Sequence, residues 1–471
     1  MTTALDAARA ALRDQPAWLV GGAIRDRLLG RETDDVDLVV GGDVGRAARR
    51  LAGHARAAVF PLSERFGAWR VVARDHTWHA DLAPLADGGI EADLARRDFT
   101  INAMAEPVAG GDVLDPFGGQ RDLAAARLRM VGPEAFADDP LRALRLVRFA
   151  VELGLAPDSG TEAAARAAAP RLREISGERV FAELKRIVTA DAVLEGLGRM
   201  DALGLTDAIL PELTALRGVE QGVYHHLDVL EHTREALAAV LELERDPSPF
   251  GPHAEATMAL LAEPLADELT RGQALRFGAL LHDVAKPLTR HVFPGGKVGF
   301  PGHDAQGAEI ARDVLARLRA SEKLRAHVAG LARHHLRLGF LVHERPLSRR
   351  AIYAYLRTCE PVEVDVTVLS IADRLATRGR RADEAIAKHL ELAQELLGEA
   401  LAFRAAGPRS PLVRGDELAR ALGVLPGPAL GRVLEELDAA RFAGEISTRE
   451  EAIAHARGFL GPRGLDTTPT V

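Results

Sequence analysis

Three acids, Asp34, Asp35 and Asp37, open the apolar run "VDLVV", and a double glycine, Gly21-Gly22, stands upstream in "AWLVGGAIRD". A glycine pair between a strand and a helix lets backbone N–H groups approach phosphate oxygens, with the helix N-terminus behind them. Side chains alternate along a strand, so Asp35 and Asp37 share one face and Asp34 takes the other. Two carboxylates facing a phosphate-binding turn suit Mg2+, which takes oxygen ligands and is commonly held by one or two carboxylates plus substrate phosphates. The chemistry implied is two-metal phosphoryl transfer. The plainer alternative is an acidic turn on an exposed strand, and the turn is neither G-x-G-x-x-G nor a P-loop.

Further polar groups stand where fold alone would not ask for them. "DLARRDFTINAMA" places Arg96, Arg97 and Asp98 just ahead of Asn102 and an apolar segment. Arginine pairs phosphate oxygens bidentately, and Asp and Asn can bind sugar hydroxyls. In "DDPLRALRLVRFAVELG", Asp139 and Arg142 lie three apart, on one face of a continuous helix, a spacing that by itself reads as a surface ion pair. Arg145 and Arg148 either continue that basic edge or are solvated. The doublet His282-Asp283 lies on an apolar helix and is hard to explain as packing, because both groups need buried partners. Imidazoles with carboxylates suit a transition metal.

The elements that position these residues divide the chain. Strands are expected at "AWLVGG", "VDLVV", "WRVVA" and "WHADLAPL", all before residue 125. Helical spacing follows from about 126 to 220, with Gly154 as a stop. A histidine-rich helical region runs from about 221 to 385, and a small helical tail with a frayed end from about 386 to 471. At 471 residues, more than one core is expected. Abundant Ala and Leu with few aromatics favour helix and argue against aromatic base-stacking platforms. The net charge of −8 gives no general nucleic-acid footprint. The single cysteine, Cys359, excludes an internal disulfide framework and fits a cytoplasmic protein. No long apolar run or export signal is visible, so no membrane association is expected.

Taken in order, "GGAIRD", "DVD", "RRDFTINAMA", "DPFGG", "DDPLRALRLVRFA" and "GERVFAEL" resemble the class II tRNA nucleotidyltransferase and bacterial poly(A) polymerase family. The resemblance implies an α+β fold: a polymerase-β-like head with a small mixed sheet (1–125), then an all-helical neck and body (126–220). It implies an enzyme that adds CMP, and in some members AMP, from CTP and ATP to tRNA 3′ ends without a template. Asp35 and Asp37 would hold Mg2+. Gly21, Gly22 and Arg25 would hold the triphosphate, and Asp98 and Asn102 would meet the ribose with Arg97 nearby. Asp138, Asp139 and Arg142 would select the base, the first acid being shortened from the family's glutamate, and Glu178 and Arg179 would brace them. The segment "APLADGGIEADLA" is short where CCA-adding members carry a longer one, as in enzymes that add only two cytidines and leave adenosine to a partner enzyme. Full CCA addition, A addition and poly(A) polymerisation are the alternatives within the family. A non-catalytic RNA-binding or signalling protein is the alternative outside it.

The histidine region resembles the HD metal-dependent phosphohydrolases through "HHLDVLEHTREAL", "LLHDVAKPL", "GHDAQGA", "RHH" and "IADRL". That resemblance implies His232, His282, Asp283 and Asp373 as ligands of a divalent transition metal such as Mn, Ni, Co or Fe, with His303 and His335 completing a second site. It implies phosphohydrolase chemistry on RNA ends, the alternative being a degenerate HD fold that merely supports tRNA. Tyr224, His225, His226 and His334 are alternates, whereas His253, His291, His343 and His389 read as ordinary surface or packed histidines.

Overall fold

Short alternating strands between Ala17 and Pro107 assemble into one six-stranded mixed sheet. The computed structural model describes residues 3–31, 33–64, 66–222, 227–378, 382–407 and 410–460, so Tyr224, His225 and His226 lie outside the described residues. The chain divides into two compact units, one ending at Ile209 and one beginning at Leu210.

In the first unit the strands are β1 (Ala17–Val20), β2 (Asp35–Val40), β3 (Ala58–Ser63), β4 (Ala68–Val72), β5 (His79–Pro84) and β6 (Ala105–Pro107), in spatial order β3-β4-β5-β2-β1-β6. Only β2 and β5 pair in parallel. One face of β2 presents Val36, Leu38 and Val40 to the helices Ala4–Leu12 and Val44–Ala55. Each such side chain, when fully buried, contributes roughly 1.5–3 kcal/mol. A one-residue slip would therefore put the carboxylates into this core, which fixes Asp35 and Asp37 on the opposite face. The four expected strands correspond to β1, β2, β4 and β5. The sequence reading missed β3 and β6: β3 is a largely exposed edge strand that carries Pro61, and β6 has only three residues.

Helices complete this unit. Gly154, at φ +67°, ends the helix Arg142–Leu153 in the left-handed conformation that glycine adopts without penalty. The expectation of one continuous helix through Asp139 and Arg142 is corrected: the short helix Ala135–Asp138 ends before Asp139, which is extended at φ −148° and ψ 100°. Pro140 excludes the helical conformation from the residue before it, so Asp139 stands in a bend rather than on a helix face with Arg142.

The second unit is helical. Val229–Arg245, Arg271–Leu281, His303–Arg317, Glu322–His334 and Glu363–Ala376 pack together. The helix Arg271–Leu281 starts at a reciprocal capping box between Thr270 and Gln273. Gly415–Leu422, Pro428–Phe442 and Arg449–Leu460 share a separate small core around Leu418, Val433 and Leu437. Among the described residues no helix is long and apolar enough to cross a membrane.

Candidate active sites

In the first unit, a cavity of about 540 Å3 gathers Gly21, Gly22, Arg25, Asp35, Asp37, Arg97, Asp98, Asn102, Asp139, Arg142, Arg145 and Arg148 along its walls. Asp138, the last residue of its short helix, is absent from that lining and exposed. Strand register places Asp37 opposite Val20 of β1 on one side and Asp81 of β5 on the other, and Asp35 opposite His79. The His79 Nδ1 lies 2.5 Å from an Asp35 oxygen, and Arg70 clamps Asp81 with two bonds of 2.7 Å. Asp37 is open to the cleft, yet burial by the surrounding walls raises its carboxyl above the usual value. Arg97 opposes that shift and Asp81 reinforces it. A cation at this position would relieve the strain on Asp37, so the residues fit a divalent metal.

Gly21 has a double reason to be glycine. Its φ is +72°, and a Cβ would lie 2.9 Å from an Arg97 guanidinium nitrogen and 3.8 Å from Asp37 Oδ2. The turn therefore lets Arg97 approach the carboxylate while its own backbone faces the cleft. Arg25 donates to Asn102 Oδ1 at 2.7 Å and forks onto Asp26 at 2.9 and 2.8 Å.

Asp98 stands on the cavity wall with its carboxylate engaged by protein groups. Its Oδ1 accepts from the Phe99 N–H at 2.8 Å and Asn102 Nδ2 at 3.0 Å, and its Oδ2 accepts twice from Arg145, at 2.7 and 2.6 Å. The four acceptor sites of a carboxylate are thus filled by protein. Burial raises this carboxyl, but Arg145 and the hydrogen bonds outweigh it and hold it below the usual range. Nor are Arg145 and Arg148 solvated. Arg148 is buried, bonded to Glu183 at 2.5 Å and Glu152 at 3.1 Å, and lies over the Phe149 ring. Arg142 donates to the carbonyls of Arg96, Arg97 and Ala135, and Arg179 holds Asp139 Oδ2 at 2.6 Å.

The second unit brings His232, His282, Asp283, His303, His335 and Asp373 together. Asp283 is central: His282 and His303 lie 3.2 and 3.3 Å from its oxygens, and His232 and His335 3.6 and 3.7 Å away. Asp373 approaches His232 at 2.9 Å. His282, His303 and His335 each direct Nδ1 at a backbone carbonyl, of Ala279, Phe300 and Ala332, at 2.8, 2.6 and 2.7 Å. In a neutral ring this arrangement puts the proton on Nδ1 and leaves Nε2 as a ligand lone pair. The Nε2 atoms of His282 and His303 and the Oδ1 of Asp283 are buried without hydrogen-bond partners, while Asp283 Oδ2 meets the Lys286 ammonium. These orphaned atoms fit a metal. Burial pushes His335 down to about 4, helped by neighbouring imidazoles, which keeps it neutral. Burial raises Asp283, but His282 and Lys286 reverse the effect and hold it well below the carboxylate range.

Sequence reasoning missed His79, Asp81, Arg70 and Lys286. The first two were readable: "HAD" on β5 repeats the alternation of Asp35 and Asp37. Lys286, paired with Asp283 Oδ2 at 2.6 Å, stands three residues after it, across the turn between the helices Arg271–Leu281 and Lys286–Thr289. Of the remaining histidines, His334 faces Arg337, His291 packs on Phe293, and His253 abuts Gly398. His343 and His389 line a cavity beside the metal-type cluster.

A mixed-sheet head with paired carboxylates and a glycine turn, joined in one chain to a helical histidine-carboxylate centre, defines a nucleotidyltransferase carrying an HD domain. The family described as the poly A polymerase head domain matches residues 17–129. That of the probable RNA and SrmB-binding site of polymerase A matches 154–216, and the HD domain matches 254–378. The chain is 38% identical to the A-adding tRNA nucleotidyltransferase of Deinococcus radiodurans, over 96% of each chain. It is 35% identical to the CC-adding tRNA nucleotidyltransferase of Thermus thermophilus, again over 96% of each. Its fold is similar to that of the Thermotoga maritima CCA-adding enzyme complexed with tRNA, with a TM-score of 0.61 at 20% identity, covering 96% of this chain and 95% of the other. The chain belongs to the tRNA nucleotidyltransferase family, enzymes that build or repair the CCA end.

Proposed function

We propose that this enzyme adds the two cytidines of the tRNA CCA end from CTP and leaves the terminal adenosine to a separate enzyme. The observation that carries the reading is the brevity of the connection between β5, ending at Pro84, and the helix Ile90–Ala95 that precedes Arg97. A five-residue turn gives no mobile segment to reshape the base pocket when the incoming nucleotide should change. The 38% identity to an A-adding relative supports A addition as the second reading. In the proposed division, the head spans 1–125, the helices that select the base 126–220, the HD domain 221–385 and the tRNA-contacting tail 386–471.

Asp35 and Asp37 would hold Mg2+, which would supply Lewis-acid activation of the tRNA 3′-hydroxyl and charge neutralisation on the departing pyrophosphate. The backbone N–H groups of the Gly21-Gly22 turn, with Arg25 and Arg97, orient the triphosphate. Asn102 keeps one N–H and one lone pair for the ribose, while Asp98 acts through Asn102 and Arg145 as a positioning residue. Asp139, steadied by Arg179, and Arg142, steadied by three carbonyls, present an acceptor and a donor to the base edge.

The test is incorporation of each labelled nucleotide on tRNA transcripts ending before the first C, after one C and after two. CTP addition should stop after two residues, and ATP should not add to the CC end. Efficient ATP addition there would sink the CC-adding reading in favour of the others.

We propose further that the second unit is a metal-dependent phosphohydrolase acting on 2′,3′-cyclic or terminal phosphates of RNA ends, supported by its orphaned ligand atoms. Ring opening of a 2′,3′-cyclic end to the monoester, or phosphate release from a terminal monoester, in the presence of Mn, Ni or Co should persist in Asp37→Ala and vanish in His282→Ala. Turnover that survives His282→Ala would assign it to a contaminant or another site.

A further inference from the structure

Beside the histidine-carboxylate cluster lies a cavity of about 1110 Å3, with His335 and Asp373 on its wall. That volume is at or above the usual size of a small-molecule pocket, more than a bare phosphate needs. Three basic side chains border it, and two are neutralised: Lys388 pairs with Glu384 at 2.7 Å and Arg345 with Glu391 at 2.8 Å. The third, Arg374, has no carboxylate partner among the described residues. Its guanidinium donates to the Thr377 carbonyl at 3.3 Å, and its Nε is buried without a hydrogen-bond partner. Arg374 follows Asp373 directly in the chain and lines the same cavity, so a cation without a carboxylate partner among the described residues borders the metal-type cluster. The opposite chemistry is also present on the lining, in Leu336, Val342, Pro346 and Phe340, the last 66% exposed.

We propose that this cavity seats the 3′-terminal nucleotide of a single-stranded RNA end, with Arg374 holding the terminal phosphate and Phe340 stacking the base. The proposal rests on the phosphohydrolase reading and deepens it by naming what selects the substrate. An unpaired guanidinium next to the metal-type ligands recognises phosphate through charge-assisted bonds. An exposed ring at the rim suits an unstacked base, and base stacking on an aromatic side chain is worth about 1–3 kcal/mol without sequence preference. The site should therefore accept any terminal base and discriminate against phosphate esters that carry none.

The experiment uses the full chain in an Asp37→Ala background, to remove metal-dependent binding at the head, with Mn2+ present. Equilibrium binding is measured for a fluorescent two-nucleotide RNA ending in a 3′-phosphate, with inorganic phosphate as competitor. Phe340→Ala should weaken binding of the dinucleotide about tenfold, and Arg374→Gln by at least as much, with Tm unchanged in both. Inorganic phosphate should compete far more weakly than the unlabelled dinucleotide. Absence of binding, binding insensitive to Phe340→Ala, or phosphate competing as well as the dinucleotide would overturn the proposal. Hydrolysis of a cyclic-phosphate end is followed alongside. Binding that depends on Phe340 and Arg374 without hydrolysis under Mn, Ni or Co would reject the phosphohydrolase reading and leave the nucleotide seat standing.

Discussion

Replacing Asp37 by alanine should lower nucleotide addition by about a thousandfold or more while leaving the metal-free protein as stable as the parent, or slightly more stable. The loss follows from removing one of two carboxylates that hold the divalent ions. Charge stabilisation worth several kcal/mol disappears with it, and each 1.36 kcal/mol is tenfold in rate. The stability follows from the raised carboxyl of Asp37, whose burial and whose neighbour Asp81 disfavour the ionised form. A carboxyl raised on folding makes the folded state bind its proton more tightly, so ionisation at neutral pH works against folding and alanine removes that penalty. Asp34→Ala is the control. Asp34 precedes β2 and its side chain is exposed, so most activity should remain. Single-turnover CMP incorporation and thermal melts without metal check both. An Asp34→Ala enzyme that is inactive at normal Tm would refute the strand-face assignment.

The same physics explains which parts of the site were readable in the sequence. Asp35 and Asp37 were legible because strand alternation is local and the apolar partners Val36, Leu38 and Val40 fix the face. The glycine turn was legible as a turn, but its reason was not: the approach of Arg97 to Gly21 joins residues 76 positions apart. The bend at Asp139 was written in "DDP", and a stricter reading of proline's effect on its predecessor would have separated Asp139 from the following helix. Partner identity was the least accessible. Whether Arg148 faces water or Glu183 depends on how the helices Arg142–Leu153 and Gly177–Thr189 pack, and nothing in either segment alone decides it. In the histidine cluster, ligand types could be read along the chain, while the carbonyls that fix each Nδ1 proton depend on side-chain rotamers that spacing does not reveal.

Arg145→Met should destabilise the first unit by about 3–5 kcal/mol, because it leaves the buried Asp98 carboxylate without its cation. Methionine keeps the apolar stem of the side chain and removes the charged guanidinium. The pH dependence separates this cause from general disruption. In the parent, Asp98 titrates below its unfolded value near 3.9, so its contribution to stability is complete above that value and fades as pH falls through the lower folded one. In the variant, burial acts against fewer compensating groups and lifts the Asp98 carboxyl above 3.9. The folded state then holds the proton more tightly than the unfolded chain, and stability falls as pH rises through that interval. The Tm difference between parent and variant should therefore widen from about pH 4 to pH 7. Activity should drop with it, since Asp98 holds Asn102 and Asn102 holds Arg25 at 2.7 Å. Adding Asp98→Asn to Arg145→Met removes the orphaned charge and should recover most of the lost Tm at pH 7 while nucleotide addition stays impaired. A double variant no more stable than Arg145→Met would show that the loss came from packing.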